Sequence, residues 1–84
     1  MSRQLQKAEE IGVKTNVAGV PVNLTRNSRR EKVAAIYERW RLCDEWWGKE
    51  VERHYFRVRT GTGIVIDIYR DTRSNRWYLD KIHD

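Results

Sequence analysis

Several short segments of the chain alternate apolar and polar residues, which is the period of a β-strand. Residues 11–15 and 20–24 alternate in this way around a turn-like segment at 16–19, and together they predict a β-hairpin. Pro21 cannot donate a hydrogen bond to a neighbouring strand, so we place it at a strand start or a sheet edge. Residues 1–10 have no apolar face, and we expect them to form a flexible tail before a single domain at 11–84.

Residues 29–42, which follow a second turn at 26–28, fit two different structures. Their apolar positions have the i, i+3, i+4, i+7 spacing of an amphipathic helix: Val33, Ile36, Tyr37 and Trp40. Ser28 and Glu31 also have the spacing of a helical capping box. These residues by themselves favour the helix, but an edge strand with a bulge also fits, and it would place Ile36, Glu38, Trp40 and Leu42 on one face. The pattern alone leaves both structures open.

The C-terminal half has a clearer pattern of three strands, at residues 51–60, 64–70 and 76–83. Glycine-containing or polar breaks separate them, so they predict an antiparallel meander. Large apolar residues in and before this region should supply the core: Trp40, Trp46, Phe56, Ile64, Ile66, Ile68, Leu79 and part of the Trp77/Tyr78 pair. At 84 residues the chain is one domain with a thin core.

The sequence has few candidates for catalysis or metal binding. Cys43 is the single cysteine, so no internal disulfide can form, and a lone thiol is typical of a reducing cytoplasm. Cys43, His54 and His83 are too few and too scattered for a zinc site. The sequence contains neither a nucleotide-binding glycine motif nor a nucleophile elbow. We therefore expect no enzyme activity, no cofactor and no membrane span.

The net charge of +5 fits either an ordinary solvated surface with an excess of lysine and arginine or a binding surface for a polyanion such as nucleic acid. Alternation places Arg53, Tyr55, Arg57 and Arg59 on one strand face, where they could bind phosphates and stack on bases. The alternative is a solvated face whose arginines pair with Asp67, Glu38 or Glu52. Further candidate contacts for nucleic acid or a protein partner are Trp46, Trp47, Arg70 and Arg73.

A combination of aromatic and arginine positions resembles a known bacterial module. These positions are Trp40-Arg41, Trp46-Trp47, Arg53, Tyr55-Phe56, Tyr69-Arg70-Asp71, Trp77-Tyr78-Leu79 and Ile82-His83-Asp84. Over residues 11–84 they resemble the C-terminal domain of ImuB-type proteins, which are Y-family polymerase-like components of error-prone translesion synthesis. They resemble still more closely short bacterial proteins of unknown function that consist of this module alone. The chain departs from the pattern in a shorter 25–32 region, in lacking an additional tryptophan in the preceding strand, and in having His83 where tyrosine is usual.

The resemblance implies a β-rich domain acting in DNA damage tolerance. It implies no polymerase activity, because the catalytic carboxylates of the larger proteins lie outside this module. We therefore predict a small all-β antiparallel meander or open barrel, with an α+β arrangement carrying a helix at 29–42 as the alternative. The expected function is a non-catalytic, cytoplasmic interaction module that docks a protein partner of a translesion-synthesis assembly. The alternative is direct binding of DNA through the Arg53–Arg59 face.

Overall fold

Alternating segments of the chain form strands throughout the computed structural model, which describes the backbone of residues 2–46 and 49–83 and the side chains of residues 8–45 and 50–83. The six strands are β1 (Ser2–Thr15), β2 (Pro21–Arg26), β3 (Arg29–Trp46), β4 (Lys49–Thr60), β5 (Val65–Asp71) and β6 (Arg76–His83). Each pairs antiparallel with the next, and β6 pairs with β1, which closes the sheet. The all-β prediction is confirmed, with a closed sheet in place of an open one.

Two tight turns support the N-terminal strands. The side chain of Asn16 accepts hydrogen bonds from the amides of Ala18 and Val20, and Gly19 has a φ of 81°. Asn27 and Ser28 join β2 to β3 with φ values of 51° and 65°, which are the left-handed conformations of a two-residue hairpin turn. The predicted first hairpin and second turn are therefore confirmed, and Pro21 begins β2 as expected.

Residues 2–10 differ from the expected tail, because they belong to β1. Residues 2–4 pair with 81–83 of β6, and residues 9–11 pair with 77–79, with a register shift between the two stretches. Pairing of this kind uses main-chain groups, which every residue here supplies whatever its side chain. The lack of an apolar face therefore did not prevent strand formation.

The helical spacing at 29–42 arises from bulges in β3. Val33 and Ile36 both lie next to residues of the buried face of β4, Thr60 and Val58, because the register shifts between Val33 and Ala35. An extra residue in a strand turns a period of two into a spacing of three. Within the described ranges there is no helix, and hence none able to cross a membrane.

The core lies inside the closed sheet. It consists of Ile11, Leu24, Phe56, Val58, Ile66, Ile68, Trp77 and Leu79. Two predicted core residues lie outside it: Trp40 is 37% exposed and Ile64 is 47% exposed. Trp40 projects from the outer face of β3, and Ile64 precedes β5 in the turn that follows β4. The side chain of Trp46 lies outside the described residues.

Candidate interaction surfaces

The outer face of the sheet carries a row of four aromatic rings on neighbouring strands. Trp40 is opposite Tyr55, Tyr55 opposite Tyr69, and Tyr69 opposite Tyr78 in the strand register. The ring centroids of successive pairs are 5.1, 5.0 and 5.2 Å apart, and the first pair is stacked within 5° of parallel. Tyr55 and Tyr69 are buried as a result, and burial raises the pKa of the Tyr69 phenol. Tyr55 and Tyr69 therefore stabilise the sheet, and Trp40 is the exposed end of the row of rings.

Two of the arginines predicted to bind phosphates are occupied by contacts within the chain. Arg57 donates from Nε to Asp67 Oδ1 at 2.9 Å and from Nη2 to Oδ2 at 3.2 Å, and it also lies 3.7 Å from Glu38. Its guanidinium sits 5.6 Å from the Trp40 ring centroid. Arg53 lies over the Tyr69 ring at 4.7 Å and donates to the Tyr55 hydroxyl. For Arg57 the alternative of pairing with Asp67 and Glu38 is what the structure shows.

Asp67 is the centre of this charge network. It is only 4% exposed and also lies 3.0 Å from His83 Nε2, although that nitrogen does not meet the geometry of a hydrogen bond. Burial opposes ionisation of Asp67, but the neighbouring Arg57 and His83 outweigh it and lower the pKa of the carboxyl. Asp67 is therefore an ionised carboxylate that fixes the Arg57 guanidinium on the sheet.

The remaining predicted site residues that the structure describes lie in different parts of the fold. Arg70 donates to Asn75 Oδ1 and to His54 Nδ1. Arg73 is exposed in the turn between β5 and β6, where Asp71 accepts a hydrogen bond from its amide. Arg59 is exposed beside Ala35, away from the aromatic row. Trp46 is the last residue of β3, its side chain is not among those described, and Trp47 also lies outside the described residues. The six predicted residues whose side chains are described therefore do not form one site.

His54, in the first half of β4, is part of a polar cluster with Glu52 and Arg70. Its Nε2 lies 3.0 Å from Glu52 Oε1, and its Nδ1 lies 3.3 Å from Arg70. Because arginine only donates, Nδ1 must accept and Nε2 carries the proton that is donated to Glu52. This hydrogen bond is the main cause that lowers the pKa of Glu52. No metal-binding group of three or more ligands occurs among the residues that the structure describes.

The second half of β3 forms a free sheet edge. Residues 29–32 pair with β2, whereas residues 33–46 pair only with β4 within the described ranges. This stretch carries three exposed apolar side chains: Tyr37 at 53%, Trp40 at 37% and Leu42 at 42%. We call residues 33–46, with these side chains, the β3 edge. The apolar character of Trp40 predicts a core position, whereas the indole lies on the surface.

A separate cationic face lies on the outer side of β1, β2 and β3. Lys14 is aligned with Asn23 and Lys32, and Arg30 with Thr25, so these side chains share one surface. Arg59 extends it on β4, and all four cations are exposed. None of the four forms an ion pair within the described part of the chain, in contrast to Arg57. We call Lys14, Arg30, Lys32 and Arg59 the cationic face.

Comparison with known proteins adds no relative: no family model, curated protein or solved structure matches this chain. The resemblance to the ImuB-type C-terminal domain therefore stays a prediction.

Proposed function

We propose that the chain is a non-catalytic interaction module that binds an extended segment of a protein partner along the β3 edge. The observation that supports this is the combination of a strand paired on one side only with three exposed apolar side chains on the same strand. A free edge offers main-chain donors and acceptors to an added strand, and flanking side chains give the added strand specificity. An exposed indole such as that of Trp40 is a favoured interface anchor.

The β3 edge also has features that suppress indiscriminate pairing. It carries charged residues at positions 38, 39, 41, 44 and 45, and register shifts occur near Val33 and Ile36. Charges and bulges of this kind limit edge-to-edge aggregation. An edge guarded in this way, yet bearing Trp40 and Leu42, is better suited to a selective partner than to self-assembly. In line with the resemblance, we propose that the partner belongs to a bacterial translesion-synthesis assembly in the cytoplasm.

Selection of displayed random peptides on the immobilised protein tests the proposal, followed by calorimetry with a recovered peptide. We expect Leu42→Lys to weaken binding by at least about tenfold, the effect of losing one interface anchor. Val17→Lys is the matched control, because Val17 is fully exposed in the turn between β1 and β2. Amide exchange with and without the peptide should show new protection within residues 38–45. An equal loss of peptide affinity in both variants, or new amide protection outside residues 38–45, would contradict strand addition.

A second candidate function is direct binding of a nucleic-acid backbone to the cationic face. It is supported by four exposed cations without ion-pair partners among the described residues, on a chain of net charge +5. Phosphate contacts make affinity fall steeply with salt. Anisotropy titrations of a labelled single-stranded oligonucleotide should give a salt slope that falls by about one when Lys32 becomes Gln. Arg41→Gln is the control, because Arg41 is exposed, is aligned with His54 and so lies on the opposite face of the sheet from Arg59. An unchanged slope in the Lys32 variant would remove this candidate.

A further inference from the structure

A cavity of about 440 Å³ opens at the mouth of the closed sheet. Its lining includes the residues on either side of the β2–β3 turn, Arg26 and Arg29, together with Gly63 and Ile64 after β4 and Ile82 and His83 at the end of β6. The cavity lies near Arg29, the first residue of β3, whereas the β3 edge begins at residue 33 and runs to Trp46 at the other end of the strand. The cavity is therefore distinct from the β3 edge. Cavities of roughly 300–1,000 Å³ hold small ligands, and the mouths of β-barrels are among their preferred positions.

The walls of the cavity are largely apolar. Buried side chains from four strands line it, namely Ile11, Leu24, Ile66 and Leu79. Ile64 also lines the cavity, although 47% of its surface is exposed. An apolar wall of this type favours the hydrocarbon part of a ligand, because binding would remove both surfaces from water.

The charged side chains that line the cavity differ in whether they are held by contacts within the chain. Arg26 is held by Glu9 at 2.7 Å, and Glu31 accepts a hydrogen bond from Thr62 at 2.7 Å. Arg29 also lines the cavity, and its guanidinium forms no hydrogen bond or ion pair within the described residues. One guanidinium is therefore free to bind an anionic oxygen, and guanidinium–carboxylate contacts are strong and directional.

We propose that this cavity binds a small apolar molecule carrying one carboxylate, with the hydrocarbon against Leu24, Ile66 and Leu79 and the carboxylate at Arg29. Decanoate is a suitable probe. Three compounds serve as comparisons: acetate lacks the hydrocarbon chain, decanol lacks the charge, and decylamine carries the opposite charge. Decanoate should bind saturably and shift the methyl resonances of the three lining residues, and it should bind more tightly than each comparison.

Variants at Arg29 and Arg76 test the role of the free guanidinium. Arg29→Gln should weaken decanoate binding about tenfold or more, the range expected when a charge-assisted contact is lost. Arg76→Gln removes an equal charge from the start of β6, beside Glu10, and should leave the affinity for decanoate unchanged. The proposal is overturned if decanol or decylamine binds as well as decanoate, or if both variants behave alike. It is also overturned if the methyl shifts fall outside the cavity. Failure of peptide binding at the β3 edge would leave these results unaffected, so the two proposals are tested separately.

Discussion

Replacing Asp67 by Asn tests the charge network that fixes Arg57 on the sheet. Asp67 is 4% exposed and accepts two hydrogen bonds from Arg57, whose own side chain remains 32% exposed. Removing one partner of a buried ion pair costs about 3–5 kcal/mol, but a partner that can still reach water reduces this cost. We therefore expect Asp67→Asn to lower the free energy of unfolding by about 2–3 kcal/mol, near the value of hydrogen bonds to charged groups.

The size of this effect is measurable in a domain of 84 residues. The total free energy of unfolding expected for this length is only about 4–13 kcal/mol. A loss of about 2–3 kcal/mol would lower Tm by about 10–20 °C. Urea unfolding followed by tryptophan fluorescence gives the comparison, and Glu38→Gln is the control. Glu38 is 62% exposed and 3.7 Å from Arg57, so its loss should cost less than about 0.5 kcal/mol.

The pH dependence gives this prediction its sharpest test. The pKa of Asp67 is lower in the folded protein than its ordinary value, so the unfolded chain binds the proton more readily. The stabilisation is therefore complete above the unfolded pKa of about 4 and is lost as pH falls through the folded value. The stability gap between the wild type and Asp67→Asn should narrow below about pH 4. A gap below about 0.5 kcal/mol at pH 7, or one that does not change with pH, would refute the reasoning.

Two further predictions concern the core and a turn. Leu79→Ala should lower the free energy of unfolding by about 2–5 kcal/mol, because Leu79 is only 1% exposed in the core. Ile64→Ala at the surface should lower it by less than about 1 kcal/mol. Equal losses in urea unfolding would contradict the assigned core. Ser28→Gly should raise stability by about 1 kcal/mol because Ser28 has a φ of 65°, and Ser28→Ala should give no such gain. Thermal unfolding measures the second pair, and a destabilised glycine variant would argue against the left-handed turn.

The sequence predicted the strands at 51–83 because their alternation and their turn residues point to the same structure. Phe56, Ile66 and Ile68 lie in the core as expected. Tyr55 lies on the predicted outer face but is buried, because rings from the two neighbouring strands cover it. Periodicity gives the face of a residue, whereas its exposure depends on cross-strand neighbours that only the fold determines.

The candidate surfaces were harder to predict for the same reason. Lys14 and Lys32 are 18 positions apart in the chain. They share a surface only because both strands pair with β2 in a particular register. Arg57 and Arg59 look equivalent in the sequence, yet one is held by Asp67 and the other is exposed beside Ala35. The free edge of β3 likewise arises because β2 pairs only with residues 29–32, whereas β3 continues to Trp46. No local sequence pattern reveals this difference in length.

Amide hydrogen exchange along β3 in the free protein is the most direct test of the β3 edge. Antiparallel pairing directs alternate amides towards the partner strand, so a strand paired on one side should exchange slowly only at every second position. We predict this alternation over residues 38–45, whose register with β4 is unbroken, and slow exchange throughout residues 53–59 of β4, which pair on both sides. Uniform protection over 38–45, or uniformly fast exchange there, would contradict the free edge and the docking function proposed for it.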